Sequence, residues 1–235
     1  GNNNGTNGGN TNGTNNGVIE VPGVGDTVDD ATTKATYRVT KDVGSVKEVE
    51  YVVADSKTET VEVPASITVN NASYKVTAIS NGAFKNNKTL KSVVIGQNVK
   101  TIGDNAFYNS GLTSITIPDS VTSIDNYAFS FCTGLKTVIF GGESTIYNGG
   151  FNGSFDLATV TFAEKTAITN GAFSCGETTP NTKLKELTFP AGSTFGSAFA
   201  HYNALESITF QGDADVSSGD CFSGVPSLKT LTFQG

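Results

Sequence analysis

The sequence predicts a solenoid of short, mostly parallel β-strands with irregular or short helical connections, closed at its N-terminus by a small antiparallel β cap. Three observations carry this reading. An Ala-Phe-like pair recurs at Ala83-Phe84, Ala106-Phe107, Ala128-Phe129, Gly150-Phe151, Ala172-Phe173, Ala198-Phe199 and Cys221-Phe222, with phenylalanine spacings of 23, 22, 22, 22, 26 and 23. Five or six residues after each Phe, except once, a Leu opens an L-x-x-Φ-x-Φ hexad (Φ apolar), as in Leu112-Ile115-Ile117, Leu135-Val138-Phe140 and Leu157-Val160-Phe162. Alternating apolar residues with β-branched neighbours are the pattern of a strand with one buried face. Another apolar residue usually follows six or seven positions later (Ile102, Ile124, Ile146, Ile168, Phe195, Val216), where the chain is expected to turn back towards the next Phe. A unit of this size with one short strand cannot bury its own apolar face. Successive units must therefore stack on a shared core.

Taken in order, residues 1–17 contain only Gly, Asn and Thr and offer no apolar side chain to offset the entropy of ordering the backbone, so they read as a disordered linker. Residues 18–57 read as the β-rich cap, because Tyr37, Val39, Val49, Tyr51 and Val53 alternate in two runs, 35–41 and 47–54. Residues 58–235 read as a solenoid of about eight coils. Its first, divergent coil holds Val61-Glu62-Val63-Pro64 and an inserted hairpin, Ile67 to Tyr74, that turns at Asn70-Asn71.

The phrases Leu112 to Phe129 (LTSITIPDSVTSIDNYAF) and Tyr74 to Phe84 (YKVTAISNGAF) resemble the BspA-type leucine-rich repeat of bacterial surface proteins. The resemblance covers roughly residues 58–235. It implies a leucine-rich-repeat solenoid on a secreted or wall-associated chain, placed outside the cell or on the bacterial surface. It also implies binding of a protein partner, host or extracellular matrix protein included. An alternative is a structural or accessory repeat domain of a larger surface enzyme. Gly150 and Cys221 stand where the pattern has Ala, Phe195 where it has Ile, and the Phe173-to-Leu184 segment is enlarged.

Composition narrows the chemistry. The net charge of −7 leaves no basic surface for a polyphosphate, so nucleic acid is not an expected partner. No apolar run reaches 18 residues, and no membrane insertion is expected. The chain is expected to be a monomer. His201 is the only imidazole and no G-x-S-x-G, H-E-x-x-H or P-loop occurs, so no enzyme and no catalytic residue is expected. Asp213, Asp215 and Asp220 lack the spacing and Gly of a calcium loop and read as solvated turn residues. No metal or cofactor is expected. Cys132, Cys175 and Cys221 fall in the third, fifth and seventh Ala-Phe coils. With strands about 4.8 Å apart, two coils span roughly 9–10 Å, beyond the ~7 Å Cα limit of a disulfide, so three free, buried thiols are expected.

Two candidate docking surfaces remain. The outward strand positions, which in a leucine-rich solenoid form the concave face, make a hydroxyl ladder that includes Thr116, Thr161, Thr188, Thr209 and Thr232. It is a flat polar platform, or simply what exposed strands prefer. It holds no aromatic and no Arg, the residues of interface hot spots, and the absence of Trp disfavours sugar binding by broad ring stacking. The second is an aromatic edge in the Phe-to-Leu connections, formed by Tyr108, Phe131 and Tyr202. Phe155 accompanies them as the ring expected to be buried. Such rings either stripe the surface for a partner or fold back to seal the core.

Overall fold

A computed structural model describes residues 21–54, 58–216 and 220–235. The expected linker 1–17 lies outside them, as do residues 18–20 and 55–57 of the expected cap. Strands β1 (Thr27–Asp30), β2 (Ala35–Val43) and β3 (Val46–Ala54) form an antiparallel meander. The alternation read in the sequence buries Tyr37, Val39, Val49 and Tyr51 on one face, but Val53, expected to join them, is 47% exposed. Strand β1 adds to the two runs that the sequence marks; its sequence, TVDD, carries one apolar residue and so no strand period.

Strand β4 (Thr60–Val63) opens the solenoid, and β5 (Ser66–Val69) and β6 (Ala72–Ile79) form the inserted hairpin. Its turn residues Asn70 and Asn71 both have positive φ, 48° and 64°, the left-handed pair that a tight two-residue hairpin turn demands. From there each coil supplies a longer strand and then a shorter one: β7 (Ser92–Ile95) and β8 (Thr101–Ile102), β9 (Ser114–Ile117) and β10 (Ser123–Ile124), β11 (Thr137–Phe140) and β12 (Ser144–Ile146), β13 (Thr159–Phe162) and β14 (Thr166–Ile168), β15 (Glu186–Phe189) and β16 (Thr194–Phe195). Strands β17 (Ser207–Gln211) and β18 (Thr230–Gln234) complete the longer row.

The longer strands are the hexads. They form the first wall, pairing in parallel as β4-β7, β9-β11-β13 and β15-β17-β18. Register is strict between equivalent positions, Ile115 against Val138 against Val160, so the Φ residues face inward. Those of the hexads from Val93 to Phe210 are buried, whereas Leu231 and Phe233 of the last are 52% and 59% exposed. The shorter strands correct the expectation of one strand per coil. Ile102, Ile124, Ile146, Ile168 and Phe195 do not merely turn the chain but are the inward residues of a second parallel wall. This wall runs without a break from the cap through β3, β6, β8, β10, β12, β14 and β16. Val216, expected in the same file, is 39% exposed.

No helix occurs among the described residues, so of the two expected kinds of connection, irregular or short helical, the irregular one is present. The Ala-Phe segments form a third wall of tight turns instead. Phe107 donates its N–H to Ala128 O (2.7 Å), Phe129 to Gly150 O (2.7 Å) and Phe151 to Ala172 O (2.6 Å). Two residues to either side of the Phe the chain is left-handed in most coils, as at Asn105 and Asn109, Tyr127 and Phe131, and Gly149 and Gly153. Each left-handed residue reverses the local winding, which stops a helix from propagating.

Inside these walls the repeated rings stack face to face. Centroids along Phe84–Phe107–Phe129–Phe151–Phe173–Phe199 lie 4.7–4.9 Å apart with interplanar angles of 4–7°. This distance is the coil spacing, and it matches the inter-strand spacing of a β-sheet. Tyr51 of the cap closes the file at 5.3 Å from Phe84, with Tyr37 edge-on to it at 5.4 Å. A second file, Phe140–Phe162–Phe189–Phe210–Phe233, lines the first wall at 5.0–5.6 Å. Phe195 fills its place in the Ile file by packing edge-on to Phe189 at 4.6 Å. Gly150 stands for Ala because a Cβ there would come within 2.7 Å of Ile146 Cγ2.

No disulfide joins Cys132, Cys175 or Cys221, and all three are buried. Burial raises the Cys132 thiol above its ordinary range, against the opposing effect of Ser110, and pushes Cys175 up to about 11. Both are thiols rather than thiolates at neutral pH, so alkylation of the native protein is expected to be slow. Denaturing, non-reducing alkylation read by mass spectrometry should add three labels. A species carrying one label and an internal disulfide would contradict the coil assignment.

Candidate functional site: the turn wall and its exposed rings

Numbering each residue from its coil's Phe separates the aromatic residues that the sequence grouped together. Tyr108 lies one residue after its Phe, Phe131 two, Tyr202 three and Phe155 four. These are different registers, and the fold treats them differently. The third position faces inward: Ser110, Cys132 and Ser154 are buried there, and Cys132 Sγ donates to Phe107 O at 3.1 Å.

Tyr202 occupies that inward register and is 0% exposed, which removes it from the expected docking edge. Its ring packs edge-on to Phe199 at 5.7 Å and its hydroxyl donates to Phe173 O at 2.7 Å. Burial drives its ionisation well above the ordinary tyrosine range. The enlarged segment of the preceding coil makes the surroundings for so large a residue. Asn181 pairs with Tyr202 in an isolated bridge and donates its own amide to Leu157 O at 2.8 Å. Phe155 is half-buried against the core.

Tyr108 and Phe131 do come together, ring centroids 5.6 Å apart in an edge-to-face contact. Phe131 is 39% exposed and Tyr108 half-buried, with the Lys85 ammonium 5.3 Å from the Tyr108 centroid. Phe131 has a φ of 56°, costly for a bulky side chain and filled in neighbouring coils by Asn86, Asn109 and Gly153. Its ring lies against Gly153 of the next coil, where an added Cβ would meet Phe131 Cδ1 at 2.8 Å. Tyr127 repeats this arrangement on the other side of the same Phe. It has a φ of 57°, is 42% exposed and lies over Gly149, whose added Cβ would meet its Cε1 at 2.5 Å. Both glycines are themselves left-handed, so they serve the turn and the ring at once. Tyr147, 43% exposed, lies in the following coil, where its N–H donates to Ile124 O at 2.8 Å. The sequence reading passed over Tyr127 and Tyr147. Their distances before the repeated Phe, two and four residues, are the signal that could have found them.

The hydroxyl ladder is present as a physical row. Thr116 pairs with Ile139 and Ile139 with Thr161, while Thr188, Thr209 and Thr232 are register partners in the last group. Thr116, Thr161 and Thr188 are exposed, whereas Thr209 and Thr232 are half-covered. His201 is left-handed like Phe131, and its imidazole lies over Gly224. Among the described residues no three His, Cys, Asp or Glu side chains converge to hold a metal ion. No helix there is long and apolar enough to cross a membrane.

A model of the BspA type leucine-rich repeat region matches residues 62–179 and 178–235 in six copies. The chain belongs to the BspA-type leucine-rich repeat family. No curated protein resembles the sequence. Among solved structures, the T. pallidum leucine-rich repeat protein is 17% identical with a TM-score of 0.52, over 88% of this chain and 86% of that one. That likeness shows a shared fold. A leucine-rich cell surface protein of Faecalibacterium prausnitzii A2-165 is also similar, at 18% identity and a TM-score of 0.46, covering 92% of this chain and 78% of the other. The pneumococcal vaccine antigen PcpA aligns at 16% identity and 0.45, covering 90% and 82%.

Proposed function

We propose that this BspA-type repeat chain is a non-enzymatic binding module of the bacterial exterior, and that it recognises a protein partner through the Tyr108–Phe131 edge of its turn wall. The observation that carries the reading is the placement of Phe131. A bulky ring stands, 39% exposed, at a left-handed position that four other coils give to Asn or Gly and one to His201. Strain of this kind costs of order 1–3 kcal/mol and survives where something other than stability maintains it. Held against Gly153 and Tyr108, the ring loses little freedom on binding, which is what makes an aromatic anchor effective. The hydroxyl ladder offers no such anchor.

The test copies neighbouring coils. Tyr108→Ser installs the residue found at Ser130 and Ser174, and Phe131→Asn the one found at Asn109. Binding to immobilised host matrix proteins, measured by biolayer interferometry, should weaken by about 2 kcal/mol or more in the double variant, on the scale of interface hot spots. The melting temperature should hold within a few degrees. Unchanged binding in a folded double variant would reject the edge. So would its abolition by Thr116, Thr161 and Thr188 changed together to Lys, which would move the site to the first wall.

A further inference from the structure

On the opposite flank of the turn wall runs a strip of different chemistry. Three residues before each of the first five repeated Phe stands an amide or carboxylate: Asn81, Asp104, Asn126, Asn148 and Asn170; Gly196 takes the position before Phe199. Tyr127 and Tyr147 flank this file in its central coils. Part of each polar group ties coils together. Asp104 donates its N–H to Asn81 Oδ1 (2.9 Å), Asn126 Nδ2 donates to Asp104 Oδ1 (3.2 Å), and Ser197 donates its N–H to Asn170 Oδ1 (3.0 Å). The other end of Asn126 and Asn170, Oδ1 and Nδ2 respectively, has no hydrogen-bond partner among the described residues. Beyond Tyr147 the strip continues into a shallow groove of about 540 Å³ lined by Asn148, Thr169, Asn170, Thr194 and Gly196, within the size of small-ligand clefts.

We infer that this strip is a binding site for a neutral, linear oligosaccharide lying along the solenoid axis, with pyranose faces stacked on Tyr127 and Tyr147 and hydroxyls bonded to the Asn file. Four features select that ligand. The rings are exposed, and Tyr127 rests against Gly149, which restricts its rotamers and leaves the rest of the ring open to solvent. Planar amides present a donor and an acceptor side by side, the complement of vicinal hydroxyls. They recur at the 4.7–4.9 Å coil spacing, close to the length of one pyranose unit in an extended glycan. Finally, the positions two to four residues before Phe107, Phe129, Phe151, Phe173 and Phe199 contain no Lys, Arg or His, while Asp104 and Asp125 supply carboxylates. An acidic glycan would be repelled there. The absence of Trp bars only the broadest ring platforms; two tyrosines a coil apart provide smaller ones.

The site is independent of the Tyr108–Phe131 edge, so each can fail alone. Isothermal titration of the chain with hexasaccharides of β-1,4-glucan, α-1,4-glucan, β-1,4-mannan and β-1,4-xylan, and with an anionic hyaluronan hexasaccharide, should give binding to at least one neutral glycan. That binding should be insensitive to added salt. Tyr127→Asn with Tyr147→Thr copies Asn105 and Thr169 of other coils and should weaken it at least ~10-fold, with the melting temperature preserved. Tyr108→Ser with Phe131→Asn should leave it unchanged. Failure of every neutral hexasaccharide, undiminished binding in the folded tyrosine variant, or salt-sensitive binding of the anionic glycan alone would each overturn the inference.

Discussion

Phe129→Ala is expected to destabilise the fold by about 3–5 kcal/mol, since it removes a fully buried ring and leaves a cavity that the walls cannot collapse to fill. Phe129 is 0% exposed and stacks at 4.8 Å on Phe107 and 4.7 Å on Phe151. Its neighbours are pinned by inter-coil backbone bonds, Phe129 N–H to Gly150 O and Phe107 N–H to Ala128 O, so they cannot move in to close the gap. Thr161→Ser, on the exposed face of the first wall, should cost under about 0.5 kcal/mol. Urea melts report both, and equal losses would contradict the assignment of inward and outward positions.

Tyr202→Ser should also cost about 3–5 kcal/mol, because it opens a cavity beside Phe199 and strips Phe173 O of its donor. Tyr202→Phe keeps the ring and isolates the hydrogen bond, with an expected loss of about 0.5–1.5 kcal/mol. Phe131→Asn, one position away by repeat register, should shift stability by less than about 1 kcal/mol, since the strain it relieves offsets the contact it loses. Thermal and urea melts of the three variants measure this contrast. If Tyr202→Ser were as mild as Phe131→Asn, Tyr202 would belong on the surface after all.

The hexad strands were legible because four residues with two inward apolar side chains show the period of a strand, and the rigid recurrence of Phe fixed their register. The second wall was not, since strands as short as Thr101–Ile102 or Ser123–Ile124 contain a single inward residue and no period at all. Their pairing is imposed by the stacked coils on either side, a tertiary effect. The aromatic edge was half legible. Spotting rings in a connection says that they are near one another, but a turn that alternates right- and left-handed residues reverses the facing of its side chains within one position. Phe131 and Tyr202 differ by that one position, and so one is exposed and the other sealed. Aligning Ser110, Cys132 and Ser154 with Tyr202 would have exposed the difference.

The Ala-Phe segments are a hydrogen-bonded wall that holds exposed rings in place, rather than loops linking strands. Native-state hydrogen exchange tests it residue by residue. The amides of Phe107, Asn109, Phe129, Phe131, Phe151 and Gly153 each donate to the next coil and should exchange as slowly as those of Ile115 and Val138 in the first wall. Exchange of these turn amides at the rate of an open loop, while the strand amides stay protected, would contradict the account and leave the rings without the rigid support on which both proposed surfaces depend.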